Sequence, residues 1–233
     1  MSVSRKEISF FDHIEELRSR LIKSVLAVAV GGCIFYLYID RVLEAIVRPV
    51  GRVVFTAPGE AFVARILLTF IGGFFLALPV VLFQFWCFVA AGLKEDEIKY
   101  VRIFGPCSLF LFFLGGIFAY FVIIPISIHF LLSFSTPSIV PMITIKSYVS
   151  FVVTMLLAFG VVFELPLVLM FLTKIGVATP AFLVQKRKYA VVIILIVSAF
   201  ITPPDCVTQI LMALPLIVLY EAGIIISKIT YRK

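Results

Sequence analysis

The chain has 233 residues, 63% of them hydrophobic and only 14% charged, with a formal net charge of +7. That balance excludes an ordinary soluble globular protein. Recurring charge-free apolar runs make it an all-α polytopic membrane protein, one integral membrane domain over residues 1–233. The excess Lys and Arg lie in short segments between the runs, which is the pattern of membrane topology and not of a nucleic-acid surface.

The four cysteines Cys33, Cys87, Cys107 and Cys206 make no zinc spacing, and His13 and His129 are the only histidines, so no metal site is expected. The first 23 residues mix both signs of charge and lack the layout of a cleaved signal peptide, so the first span is expected to be retained. No transit peptide is visible, which points to a prokaryotic or organelle-encoded source. Ser9 and Asp12 have the spacing of a capping box. Behind them Phe10, Ile14, Leu17 and Leu21 form one apolar helical stripe, opposite Asp12, Glu15, Glu16 and Ser19. This predicts a short helix at the membrane surface that runs into the first span.

Six spans follow at about 21–39, 66–91, 101–125, 148–173, 189–202 and 206–227. Residues 40–65 hold seven charges as well as Pro49 and Pro58, too many interruptions for a span. The second span contains Pro79 and Gln84, and a compact charged loop, residues 93–99, follows it. Pro125 and the Ser-, Thr- and Pro-rich stretch 133–141 are expected to end the third span. The fifth segment is only 13 residues from Tyr189 to Ile201, about 20 Å as a helix against a hydrocarbon core of roughly 30 Å. Bilayer thinning or an aqueous recess is the expected response. Fifteen Lys and Arg lie in the N-terminus, second loop, fourth loop and C-terminal tail, against five in the other loops. Both termini are therefore expected in the cytoplasm.

The fourth span carries Glu164 near its middle, in Phe163-Glu164-Leu165-Pro166. An acid at bilayer depth costs about 2.5–3.5 kcal/mol on insertion scales, and desolvation disfavours its charged form. Pro166 lacks the N–H that would bond the carbonyl of Val162. Two such residues in one span mark a functional face, with Ser150, Leu157, Gly160, Val161 and Val168 near the same side. The bland alternative is an acid satisfied by internal packing.

His13-Ile14-Glu15-Glu16-Leu17-Arg18-Ser19-Arg20 resembles the amino-terminal motif of the TatC family, the multispanning receptors of the twin-arginine protein translocase. The likeness continues in Leu78-Pro79-Val80, Gln84-Phe85-Trp86-Cys87-Phe88 and Ala119-Tyr120-Phe121. It resumes in Phe159-Gly160, in Phe163-Glu164-Leu165-Pro166, and in Thr202-Pro203-Pro204-Asp205 with Gln209. The resemblance implies six helices in a concave, glove-like arrangement with short fifth and sixth helices. It implies a non-enzymatic subunit in the cytoplasmic membrane of a prokaryote that binds consecutive-arginine signal peptides of folded precursors at its cytoplasmic face. It further implies TatA- and TatB-type single-span partners, several copies per complex, the proton-motive force as the drive and no cofactor. The lack of a Walker-type Gly-x-x-x-x-Gly-Lys motif is consistent with that.

A guanidinium binds a carboxylate through two parallel hydrogen bonds that lysine cannot copy. The family pattern places the two acids such a site wants at Glu16 and Glu97, with Phe88 as the nearby aromatic. Arg18 would orient Glu16 or bind lipid phosphate. Without the resemblance, Glu15, Glu16, Glu95, Asp96 and Glu97 read as solvated, charge-balanced residues. Glu164 matches the family's intramembrane acid and, with Gln209, is expected to meet polar groups of a partner. Pro49, Pro79, Pro125, Pro166, Pro203, Pro204 and Asp205 are expected to shape turns and breaks. One departure is Ala91, where the family usually has proline; Gly92 can supply the turn.

Two rival readings are weaker. A secondary transporter with Glu164 as proton carrier wants an inverted repeat and a second intramembrane acid, and only Glu221 offers itself. An intramembrane enzyme wants a motif such as His-Glu-x-x-His or Gly-x-Ser-x-Gly, and neither is present.

Overall fold

The computed structural model describes residues 10–93, 95–136, 140–201 and 206–231, without the side chains of residues 10–12 and 95–97. The expected capping pair Ser9–Asp12 and the expected turn at Pro203, Pro204 and Asp205 lie outside these limits. Residue contacts group the chain into two compact units, Met1–Ile39 with Leu68–Leu109, and Asp40–Leu67 with Phe110–Lys233.

The first unit is built on α1 (Phe10–Tyr36), the C-terminal part of α3 (Glu60–Ala91) and the N-terminal part of α4 (Glu95–Phe118). The expected surface helix and the first span are one unbroken helix. Its apolar stripe faces outward, with Ile14, Leu17 and Leu21 each exposed. In lipid nothing drives apolar side chains into the protein, so helices pair through small residues and polar contacts instead. That is what α1 offers α3. A Cβ on Gly31 would lie 2.5 Å from the carbonyl oxygen of Gly73, and one on Gly73 would lie 2.4 Å from the amide nitrogen of Gly32. The backbones of the two helices therefore touch, and Phe35 fills the notch left at Gly72. Pro79 makes no turn, because α3 continues through it, as α4 does through Pro106. On the other side of α3, Trp86 packs against Phe104 of α4 with ring centroids 5.6 Å apart.

The second unit holds the remaining helices. In α2 (Ile39–Val47), Ile39 and Ile46 are buried while Asp40, Arg41 and Glu44 are exposed, an amphipathic helix within the segment expected not to span the membrane. Tyr148 Oη donates to the carbonyl of Ile46 at 2.8 Å, and Tyr120 Oη donates to that of Ala45 at 3.3 Å. Pro49 stands in the turn that follows α2. Val54 pairs with Thr144 in a single bridge.

Pro125 does not end the third span. A π-helical turn at Ala119–Ile123 leads into α5 (Ile124–Leu132), and the amide of Ile124 reaches back five residues to the carbonyl of Ala119. The wider turn absorbs the missing proline donor, as π-bulges do. The apolar stretch thus extends over Ile98–Leu132. The fourth span is α6 (Ile145–Phe163) followed by α7 (Leu165–Lys174), broken only at Glu164. Pro166 sits in the first turn of α7, where a missing N–H costs least. α6 and α4 meet closely: a Cβ on Gly115 would lie 2.3 Å from the Phe159 carbonyl oxygen, and one on Gly160 would lie 2.6 Å from the Phe112 ring.

After α8 (Pro180–Gln185) come α9 (Arg187–Ile201) and α10 (Cys206–Tyr231). α10 packs on α7, where Gly223 admits Leu169 and Pro166, and Leu169, Leu183 and Ile224 share a small core. α9 has 15 residues, about 22 Å and shorter than a roughly 30 Å hydrocarbon core. α10 has 26 residues, four past the expected end at 227. Five helical stretches among the described residues are long and apolar enough to cross a membrane, and α9 adds the short segment.

Candidate functional site

α1 and α3 run antiparallel, so their contacts can be followed from the glycine crossing to the end that bears the charged loop. Arg20 and Gln84 meet first, then His13 and Phe88. Arg20 donates from Nε and Nη2 to Glu16 Oε1 at 2.9 and 2.6 Å, and from Nη1 to Gln84 Oε1 at 3.1 Å. The His13 and Phe88 rings stack with centroids 4.6 Å apart and an interplanar angle of 27°. His13, Glu16 and Arg20 recur at three and four residues on α1, and Gln84 and Phe88 are four apart on α3, so one side of each helix faces the other.

The site is half-buried, with the Glu16 and Arg20 side chains only 26% and 24% exposed. A charge-assisted contact there is screened less than a surface pair. Both Arg20 donors fall on one Glu16 oxygen, and among the described residues Oε2 accepts no hydrogen bond. Chemically this is a carboxylate that already carries a guanidinium and has an oxygen left for another.

Of the residues expected to bind peptide, Glu16 and Phe88 are brought to this junction, Phe88 through its stacking on His13. Arg18 is exposed and makes no ion pair among the described residues. Glu97 stands in the first turn of α4, where the helix dipole favours an acid; its side chain is outside the described residues. The structure adds three participants to which the sequence pattern assigns no role: His13, Arg20 and Gln84. The four-residue spacing of Glu16 and Arg20 was the available signal, since opposite charges at that distance pair on a helix.

The intramembrane residues separate differently. Glu164 forms the junction between α6 and α7, its amide bonded to the carbonyl of Val161 and its carbonyl accepting from Val168. Val161 and Val168 on its side are exposed, at 62% and 43%. Gly160, expected on this face, is instead buried against Phe112. Gln209 is engaged within the chain, donating from Nε2 to the Leu195 carbonyl of α9 at 3.0 Å. Arg187 Nη2 and Glu221 Oε2 form an exposed ion pair at 2.7 Å. Among the described residues no cluster of His, Cys, Asp or Glu could hold a metal ion.

Membrane-length helices joined by short polar segments, with a polar cluster at one helix end, define a multi-span membrane protein with a polar contact site. The family profile for the Sec-independent protein translocase protein TatC matches residues 12–215. A TatC protein of Carboxydothermus hydrogenoformans is 42% identical over 228 residues, spanning 96% of this chain and 94% of that protein. One from Aquifex aeolicus is 38% identical over 233 residues, with 95% of each chain covered. The crystal structure of a twin-arginine translocase receptor, TatC, superposes with a TM-score of 0.85 at 37% identity, covering 94% of this chain and 99% of that one. The chain belongs to the TatC family of Sec-independent protein translocase proteins. It is a translocase component and not an enzyme.

Proposed function

We propose that the chain is the receptor subunit of a twin-arginine translocase. It binds the consecutive arginines of a signal peptide on a folded precursor at Glu16 and Glu97. The observation that carries this reading is the Glu16 carboxylate, which holds the Arg20 guanidinium in a half-buried setting. An incoming arginine uses the same chemistry on Oε2 or displaces Arg20, and lysine, without the planar fork, does so less well. Phe88 and His13 supply an aromatic surface one turn away on which a guanidinium or an apolar side chain can lie. Glu97, in the first turn of α4, supplies the second carboxylate.

In this reading the protein is a single multi-pass domain of the cytoplasmic membrane with both termini inside. It works in several copies with TatA- and TatB-type single-span subunits and draws on the proton-motive force. A photoreactive phenylalanine analogue at position 88 is expected to capture a consecutive-arginine signal peptide. The same analogue at Phe62, which is exposed near the other end of α3, is expected not to. Equal capture at the two positions contradicts the placement.

Glu164 is the candidate contact for a partner's span. It sits at a helix junction between exposed valines, so a neighbouring helix can reach it. Glu164→Gln is expected to lower crosslinking from position 161 to a single-span subunit, together with export of a folded reporter. Unchanged crosslinking and unchanged export reject that role.

A further inference from the structure

A cavity of about 550 Å³ lies between α3 and α4 within the first unit. That volume falls inside the usual range for ligand pockets, and the lining is almost wholly apolar. Each helix contributes one stripe, at residues 79, 82, 83, 86, 87 and 90 on α3 and 98, 101, 102, 105, 106 and 109 on α4. Each stripe spans eleven residue steps, so the groove is about 16 Å long. It starts beside the charged loop and runs into the apolar part of both helices. Small residues keep it open: a Cβ on Gly105 would meet only Trp86 Cδ1, at 3.8 Å, and Ala90 lines the opposite wall.

Arg102 is the one charged residue in the lining. It stands one turn past Ile98 at the loop end, and after it the sequence has no formal charge until Lys146. Its side chain is exposed and can extend toward the headgroup level while its stem stays in apolar surroundings. A long narrow apolar slot with an arginine at the interfacial end matches one class of ligand. Basic pockets between membrane helices bind anionic lipid headgroups, and arginine pairs with phosphate in two parallel hydrogen bonds.

We propose that this groove is a binding site for an anionic phospholipid, its phosphate on Arg102 and one acyl chain along Trp86 and Gly105. The site is separate from the Glu16 cluster, which lies on the face of α3 toward α1, and it does not depend on peptide recognition. A bound lipid, its phosphate on Arg102 and its chain packed against both helices, would stiffen the α3–α4 hairpin that carries Glu97.

The chain's single tryptophan is Trp86, in the cavity wall, so it reports occupancy directly. The full-length protein is reconstituted in phosphatidylcholine vesicles containing a small fraction of acyl-brominated phosphatidylglycerol or acyl-brominated phosphatidylcholine. Trp86 fluorescence is expected to be quenched at a roughly five-fold lower mole fraction of the anionic lipid, the preference one basic residue at such a surface provides. Arg102→Gln is expected to erase that preference and Arg102→Lys to keep most of it. Gly105→Leu, which fills the slot, is expected to reduce quenching by both lipids at an unchanged melting temperature. Equal quenching by both lipids in the unsubstituted protein overturns the proposal, as does a preference that survives Arg102→Gln. Relief of quenching by an apolar consecutive-arginine peptide, independent of headgroup, would make the groove a peptide site and equally overturn it.

Discussion

Glu16→Gln is expected to weaken binding of a consecutive-arginine signal peptide by roughly ten- to a hundred-fold. Hydrogen bonds to charged groups contribute about 1.5–3 kcal/mol, and each 1.4 kcal/mol is a factor of ten. Glutamine keeps the shape of the side chain but loses the charge that the Arg20 geometry uses. The folded state should change little, because a glutamine oxygen at position 16 still accepts from Arg20, whose Nη1 keeps its bond to Gln84. Glu15→Gln is the control: Glu15 is exposed, and its replacement is expected to leave binding within about two-fold, as for most surface substitutions. Equal losses at the two positions would mean that general negative charge, and not a built carboxylate site, attracts the peptide. Binding isotherms on the purified variants, at one salt concentration, distinguish the two.

Gly73→Val should have the largest effect on stability. Its Cβ would fall 2.4 Å from the amide nitrogen of Gly32 and 2.9 Å from the carbonyl oxygen of Val28. These are backbone atoms of a continuous helix, so no side chain can swing away to make room. α1 and α3 must separate, and overpacking of this kind costs about 1–3 kcal/mol or more. Separation also pulls Arg20 from Gln84 and His13 from Phe88, so peptide binding is expected to fall with the melting temperature. Gly59→Ala, where nothing lies within 4 Å of the added carbon, should leave both unchanged. Thermal unfolding in detergent, followed by size-exclusion recovery, measures the difference; a Gly73→Val protein as stable as the parent would refute backbone contact at this crossing.

The five long apolar helices were legible because bilayer thickness and the cost of buried charge are strong constraints on sequence. The break at Glu164 was legible too, since Pro166 removes a specific hydrogen bond. Other features depended on tertiary context. Gly31, Gly32, Gly72 and Gly73 read in isolation as weak helix formers, and only the opposing helix reveals them as a contact surface. Pro125 reads as a terminator, yet one π-turn lets the helix continue to Leu132. The apolar stripe of α1 reads as a membrane-facing side, and it is the exposed side of the helix. In lipid the stripe of His13, Glu16 and Arg20 turns toward α3, which is how Glu16 finds its place. That the first cation on Glu16 comes from the chain itself was present in the spacing of Arg20, but spacing alone does not separate a surface pair from a site.

Recognition of paired guanidinium groups is tested most directly by comparing two fluorescent signal peptides on the purified protein, one with consecutive arginines and one with consecutive lysines. The arginine peptide is expected to bind at least about ten-fold tighter, since the lysine peptide loses the bidentate contacts at two sites. The preference should disappear in the Glu16→Ala and Glu97→Ala variants. Equal affinity for the two peptides, with the single-span partners present as well as absent, would contradict such recognition.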